Sequence, residues 1–207
     1  MRILINFTAL YMHMRRQLNF PNILSMIRIL IALTAPFFLI EGDMWVRVIA
    51  GFFCFIAIVT DYVDGWYARK YKQITTLGKI LDPIADKALV LISFSVFVYM
   101  DVMSFWWVIP IFIREIAVTA YRFIFLSKNI VVAAAKSGKI KTVMQMSTLG
   151  FAYFIFMINN HFREYVSEFL QYALWLALVV TLYHTIRSGI IFFVNNWRII
   201  KKYHEIA

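Results

Sequence analysis

The sequence predicts an all-α integral membrane protein of six transmembrane helices, with an N-terminal interfacial segment and both termini cytoplasmic. Three observations predict it. Hydrophobic residues make up 62% of the chain and charged residues 15%, against about 45–50% and about 25% in soluble globular domains. Apolar stretches of about 20 residues, the length that crosses a bilayer, recur along the chain with short connections between them. Lysine and arginine collect at alternate ends of these stretches, the pattern of cytoplasmic loops.

Residues 1–20 mix apolar and basic side chains, Met12, Met14, Arg15 and Arg16 among them, and read as a helix lying on the cytoplasmic leaflet. A cleaved leader is not expected, because the basic pair follows the apolar run and no small-residue cleavage site comes after it. Spans are expected at 22–40, 45–68, 80–100, 104–126, 140–159 and 168–194. No Pro- or Ser-rich linker and no internal repeat interrupts residues 21–207, so a single six-helix membrane domain is the simplest organisation.

Orientation follows from the basic residues near span ends. One side carries Arg2, Arg15 and Arg16, then Arg69, Lys70, Lys72 and Lys79, then Lys128, Lys136, Lys139 and Lys141, and finally Arg198, Lys201 and Lys202. The other carries Arg47 and Arg163 among Glu41, Asp43, Asp101, Glu164 and Glu168. The first side is therefore cytoplasmic. This placement also accounts for the net charge of +10 by anionic lipid headgroups, and no nucleic-acid-binding signature competes with it. The single cysteine, Cys54, lies in an apolar run and cannot form an internal disulfide.

Chemistry concentrates in DYVDGWYARKYKQITTLGKILDPIADK, from Asp61 to Lys87, which holds four of the six aspartates in the chain. Asp61 and Asp64 share a helix face, which Gly65 and Ala68 continue with small residues that admit close approach to the backbone. Gly78, Asp82 and Asp86 recur at intervals of four. Asp82 precedes Pro83, so the third helix is expected to start near Asp82 with Pro83 in its first turn. An aspartate at the bilayer centre costs about 2.5–3.5 kcal/mol, and clustering like charges adds repulsion unless a cation binds. Oxygen-only ligands favour hard cations, and four carboxylates from two helices suit two divalent ions that clamp a phosphoryl group. The competing reading pairs the acids with Arg69, Lys70, Lys79 and Lys87 as structural ion pairs, which leaves the Gly and Ala spacing unexplained.

Asp61, Asp64, Gly65, Ala68, Arg69, Gly78, Asp82 and Asp86 fit D-x2-D-G-x2-A-R-x8-G-x3-D-x3-D at every fixed position. The stretch thereby resembles the CDP-alcohol phosphotransferase family, whose six-helix membrane fold covers nearly the whole chain. The resemblance implies transfer of a phosphatidyl or similar group from a CDP-linked donor to an alcohol, with release of CMP and a homodimeric assembly. It implies Asp61, Asp64, Asp82 and Asp86 as ligands of two divalent cations, Mg²⁺ or Mn²⁺, with Asp86 also the general base. It further implies Gly65, Arg69 and Thr75 as contacts to the donor, CDP-diacylglycerol, beside the small residues Ala68 and Gly78. Asn22 and Ser25 either cap the first span or touch the nucleotide.

The acceptor is read from other segments. Pro21 to Arg28, Leu81 to Lys87, Arg114-Glu115, and Gly138 to Thr142 with Gln145 resemble the glycerol-3-phosphate branch of that family. Arg114 and Arg122 share a face of the fourth helix, and Lys139 and Lys141 open the fifth. A phosphorylated acceptor calls for such cations, with arginine supplying a fork; the alternative for Arg114 is a buried pair with Glu115 or an aspartate. Rival readings are the same chemistry with inositol phosphate, serine or phosphatidylglycerol as acceptor, a divalent-cation transporter, and a non-catalytic scaffold. The histidines show no ligand spacing, and Trp45, Trp106 and Trp107 read as interfacial aromatics.

Overall fold

The computed structural model describes residues 19–70, 76–127, 137–161 and 168–204; the expected interfacial segment lies outside them. Among these residues the chain is all-helical, with six helices: α1 (Phe20–Glu41), α2 (Met44–Lys70), α3 (Thr76–Tyr99), α4 (Phe105–Ser127), α5 (Ser137–His161) and α6 (Glu168–His204). Each coincides with one expected span. α1, α5 and α6 are long and apolar enough, over Asn22–Glu41, Gly138–Ile158 and Glu168–Trp197, to cross a membrane. The described residues fall into two compact units that divide between Ser93 and Phe94.

In the first unit α1 packs on α2. Asn19 caps α1, its Oδ1 accepting the Asn22 N–H at 3.2 Å, so the cap is neither Asn22 nor Ser25. Gly42 ends α1 and Asp43 opens α2 by accepting the Val46 N–H at 3.0 Å. A Cβ on Gly42 would stand 2.3 Å from the Phe38 carbonyl oxygen, so only glycine fits this tight corner. The buried stripe of α1 runs Asn22, Ser25, Arg28, Ala32, Ala35 and Leu39, the spacing of one helix face. Ile23, Met26, Ile27, Leu30, Leu33 and Phe37 on its other faces are exposed, which suits hydrocarbon rather than water.

α3 differs from expectation at its start. It begins at Thr76 and runs through Pro83, where Pro83 was placed in the first turn. A proline inside a helix forfeits one backbone hydrogen bond. Side chains of α1 bond the helix at Asp82 and Asp86, holding the turn that contains it.

In the second unit α5 packs on α6 and α4 on α6. The end of α3 closes on a Schellman motif: Val102 N–H bonds the Phe97 carbonyl at 2.9 Å and Asp101 N–H the Val98 carbonyl at 3.1 Å. Asp101 sits at φ 56°, a left-handed position that aspartate tolerates better than most residues. The buried face of α6 runs Leu174, Leu178, Thr181, Thr185, Ser188, Phe192 and Asn196, and its polar members dictate what α4 and α5 place against it.

Candidate active site

The acids of α3 are organised by α1 in layers. Ser25, fully buried, donates its hydroxyl to Asp82 Oδ1 at 2.7 Å. One turn on, Arg28 donates from Nη1 to Asp86 Oδ1 at 2.8 Å and from Nε to the Ala57 carbonyl of α2 at 3.2 Å. One turn further, Ala32, Ala57 and Leu89 close a hydrophobic cluster flanked by Ile31, Ile58, Ala88 and Ile92. The apolar layer anchors three helices, and the polar layers above it aim two carboxylates. Gly78 is buried one turn before Asp82.

Exposure distinguishes the members of this site. Arg28 is 1% exposed while the Asp86 side chain is 40% exposed, and Asp82 is exposed. A buried arginine without a countercharge is costly; here the guanidinium is satisfied inside while the carboxylates stay reachable.

Asp61, Asp64, Gly65, Ala68 and Arg69 lie in continuous helix at the end of α2; their side chains, and Thr75 altogether, lie outside the described residues. The test for divalent cations therefore rests on Asp82 and Asp86. They are hard oxygen donors one helical turn apart on α3, solvent-reachable, and each bonded through Oδ1 by a side chain of α1. Carboxylate oxygens are the donor type that hard divalent cations take, and among the described residues no third acidic, histidine or cysteine ligand joins this pair.

In the second unit the predicted cations separate. Arg114 and Lys141 meet at one buried carboxylate: Glu115 Oε1 accepts from Arg114 Nη1 at 3.1 Å, from Lys141 Nζ, and from Gln145 Nε2 at 3.2 Å. Glu115 is 1% and Lys141 3% exposed. Arg114 also donates from Nη2 to Ser188 at 2.8 Å, and Gln145 reaches Thr185 at 3.3 Å. Thr148 and Thr181 add a 2.7 Å hydroxyl pair. α4, α5 and α6 are thus joined by a polar seam through the middle of their packing. Arg114 Nε is buried without an acceptor among the described residues. Arg122 and Lys139 are exposed, Arg122 lying 5.7 Å over the Phe192 ring.

Two residues escaped the sequence reading as members of a site. Arg28 is the sole ionisable residue of α1 before Glu41. An ionisable side chain inside an apolar span is itself a functional signal; that signal was present. Glu115 could be expected only as a partner of Arg114, and its hold on Lys141 and Gln145 needed the packing of α5 against α4 and α6.

Residues 18–183 match the model of the CDP-alcohol phosphatidyltransferase family. Among curated proteins, the CDP-diacylglycerol–glycerol-3-phosphate 3-phosphatidyltransferase of Bacillus subtilis strain 168 is 39% identical over 196 residues, 88% of this chain and 97% of the relative. Proteins of the same name from Shigella flexneri and Salmonella typhimurium are similar. The first is 34% identical over 81% of this chain and 91% of its own length. The second is 36% identical over 64% and 75%. The match spans both units, the acidic stretch and the helices that orient it: the chain belongs to the CDP-alcohol phosphatidyltransferase family.

Proposed function

We propose that the chain transfers the phosphatidyl group of CDP-diacylglycerol to glycerol 3-phosphate, giving phosphatidylglycerophosphate and CMP. The observation that carries the reading is the pair Asp82 and Asp86, aimed from α3 by Ser25 and Arg28 within a family match covering most of the chain. The relatives that share the sequence carry the name of this reaction.

In this reading Asp61, Asp64, Asp82 and Asp86 hold two divalent cations, Mg²⁺ or Mn²⁺, which when bound offset charge on the donor diphosphate and the departing CMP. Asp86 accepts the proton from the primary hydroxyl of glycerol 3-phosphate. The freed oxygen forms a bond to the phosphorus attached to diacylglycerol, and the bond from that phosphorus to the CMP oxygen breaks. Gly65, Ala68, Arg69, Thr75, Gly78, Asn22 and Ser25 serve the donor. Arg114, Arg122, Lys139 and Lys141 serve the acceptor phosphate. All six helices cross the inner membrane with both termini and the reacting groups on the cytoplasmic side, and the protein works as a homodimer.

The test is CMP release by purified protein in detergent with CDP-diacylglycerol and Mg²⁺, offering glycerol 3-phosphate, inositol phosphate, serine or phosphatidylglycerol separately. Release that needs glycerol 3-phosphate and yields phosphatidylglycerophosphate is expected. Release with another alcohol alone would replace the acceptor. No release with any alcohol, together with Mn²⁺ flux into liposomes, would replace the enzyme with a transporter.

A further inference from the structure

Arg28 is the least expected residue of the first unit. It is a cation on an apolar helix, 1% exposed, and the partners its guanidinium reaches among the described residues lie on other helices. Its guanidinium spans two of them, with Nε on the Ala57 carbonyl of α2 and Nη1 on Asp86 of α3. The Ala57 carbonyl also accepts the Thr60 hydroxyl at 2.9 Å, and Ala57 lies one turn before Asp61 on α2. The arginine therefore ties the turn that leads into one half of the acidic motif to the last acid of the other half.

We propose that Arg28 is a positioning residue for the transfer reaction: anchored on the α2 backbone, it fixes one oxygen of Asp86 and so sets the direction in which the carboxylate faces the acceptor hydroxyl. The proposal rests on the reading of Asp86 as general base. Three features argue for positioning over simple cohesion. The apolar cluster of Ala32, Ala57 and Leu89, one turn away, already packs these three helices. The bonded carboxylate is 40% exposed, so the contact stands at the open edge of the layer. The two bonds use different nitrogens of one planar group, a geometry that locks the plane as a single bond does not; lysine, with one nitrogen on a flexible stem, cannot reproduce it. An aspartate χ2 torsion is intrinsically broad and roughly two-fold, and the Arg28 bond at 2.8 Å restricts it.

The test compares wild type, Arg28→Gln and Arg28→Lys as full-length purified proteins. CMP release gives kcat and the KM for each substrate, and electron paramagnetic resonance gives Mn²⁺ affinity in the presence of CDP. The expected result is a kcat at least tenfold lower in Arg28→Gln. KM values and Mn²⁺ affinity should stay within threefold, and Arg28→Lys should recover less than half of the lost rate despite keeping the charge. If Arg28→Gln does not fold, Arg28→Lys carries the same comparison. The proposal is overturned if kcat stays within threefold of wild type in the variants that fold. It is equally overturned if Mn²⁺ affinity falls in proportion to kcat, which is the signature of a merely structural arginine. Wild-type protein that releases no CMP under any acceptor would overturn the underlying reading instead, and the wild-type arm reports that separately.

Discussion

Asp86 and Glu115 each accept a hydrogen bond from an arginine, at 2.8 and 3.1 Å, and the two pairs have opposite burial. In the first unit the cation is buried and the anion 40% exposed; in the second the anion is 1% exposed and its arginine 12%. Glu115 holds three donors on one oxygen, so its charge is committed to joining helices. Asp86 is held by Arg28 through one oxygen, and its side chain is 40% exposed, so it can be reached from solvent. A carboxylate in an apolar bundle is not by itself evidence of chemistry. The side of the ion pair that faces solvent tells which role it plays.

The contrast predicts opposite outcomes for isosteric neutralisation of the two acids. Asp86→Asn keeps an acceptor for Arg28 but removes the base, and CMP release should fall by about 10²–10⁴-fold. Its melting temperature in detergent should stay within a few degrees of wild type. A variant that melts far lower would make Asp86 a structural partner and dissolve the contrast.

Glu115→Gln removes the buried carboxylate charge that Arg114 and Lys141 share. Breaking a buried pair in this way costs about 3–5 kcal/mol, read as a clear fall in the detergent melting temperature. Unchanged melting would show that the seam is better solvated than its burial indicates. Thr148→Val sharpens the point within the same seam, because it removes a neutral hydroxyl whose partner Thr181 still reaches the Met144 carbonyl at 3.2 Å. Its cost should be about 1 kcal/mol. Asp101→Gly is the control acid, belonging to neither pair. At φ 56° glycine removes the side-chain strain of the left-handed conformation, so stability should rise by less than about 1 kcal/mol with activity unchanged.

Much of the fold was legible because hydrophobic length is a long signal. Six apolar runs became six helices whose ends shifted by a few residues, the largest shift being at the tail, where α6 extends to His204. At 37 residues α6 is about 55 Å long, more than a bilayer core requires. The start of α3 was misread because the proline rule is local, and the bonds from Ser25 and Arg28 that hold the turn come from 57 and 58 residues away. The motif spacing identified Asp82 and Asp86, but nothing in spacing says that Ser25 aims the one and Arg28 the other. Likewise the arginine and lysines near α4 and α5 read as a set of phosphate-binding cations, whereas burial divides them. Arg114 and Lys141 converge on Glu115, while Arg122 and Lys139 are exposed. Charge is visible in a sequence; its partner, when it lies on another helix, is not.

The most direct measurement of the central claim is the number of Mn²⁺ ions bound per chain. It should be counted by electron paramagnetic resonance on purified protein with CDP, for wild type and Asp86→Asn side by side. The account predicts two ions in wild type and the loss of at least one in the variant, at equal folded fraction. No binding above background, or the same number of ions in both proteins, would contradict it.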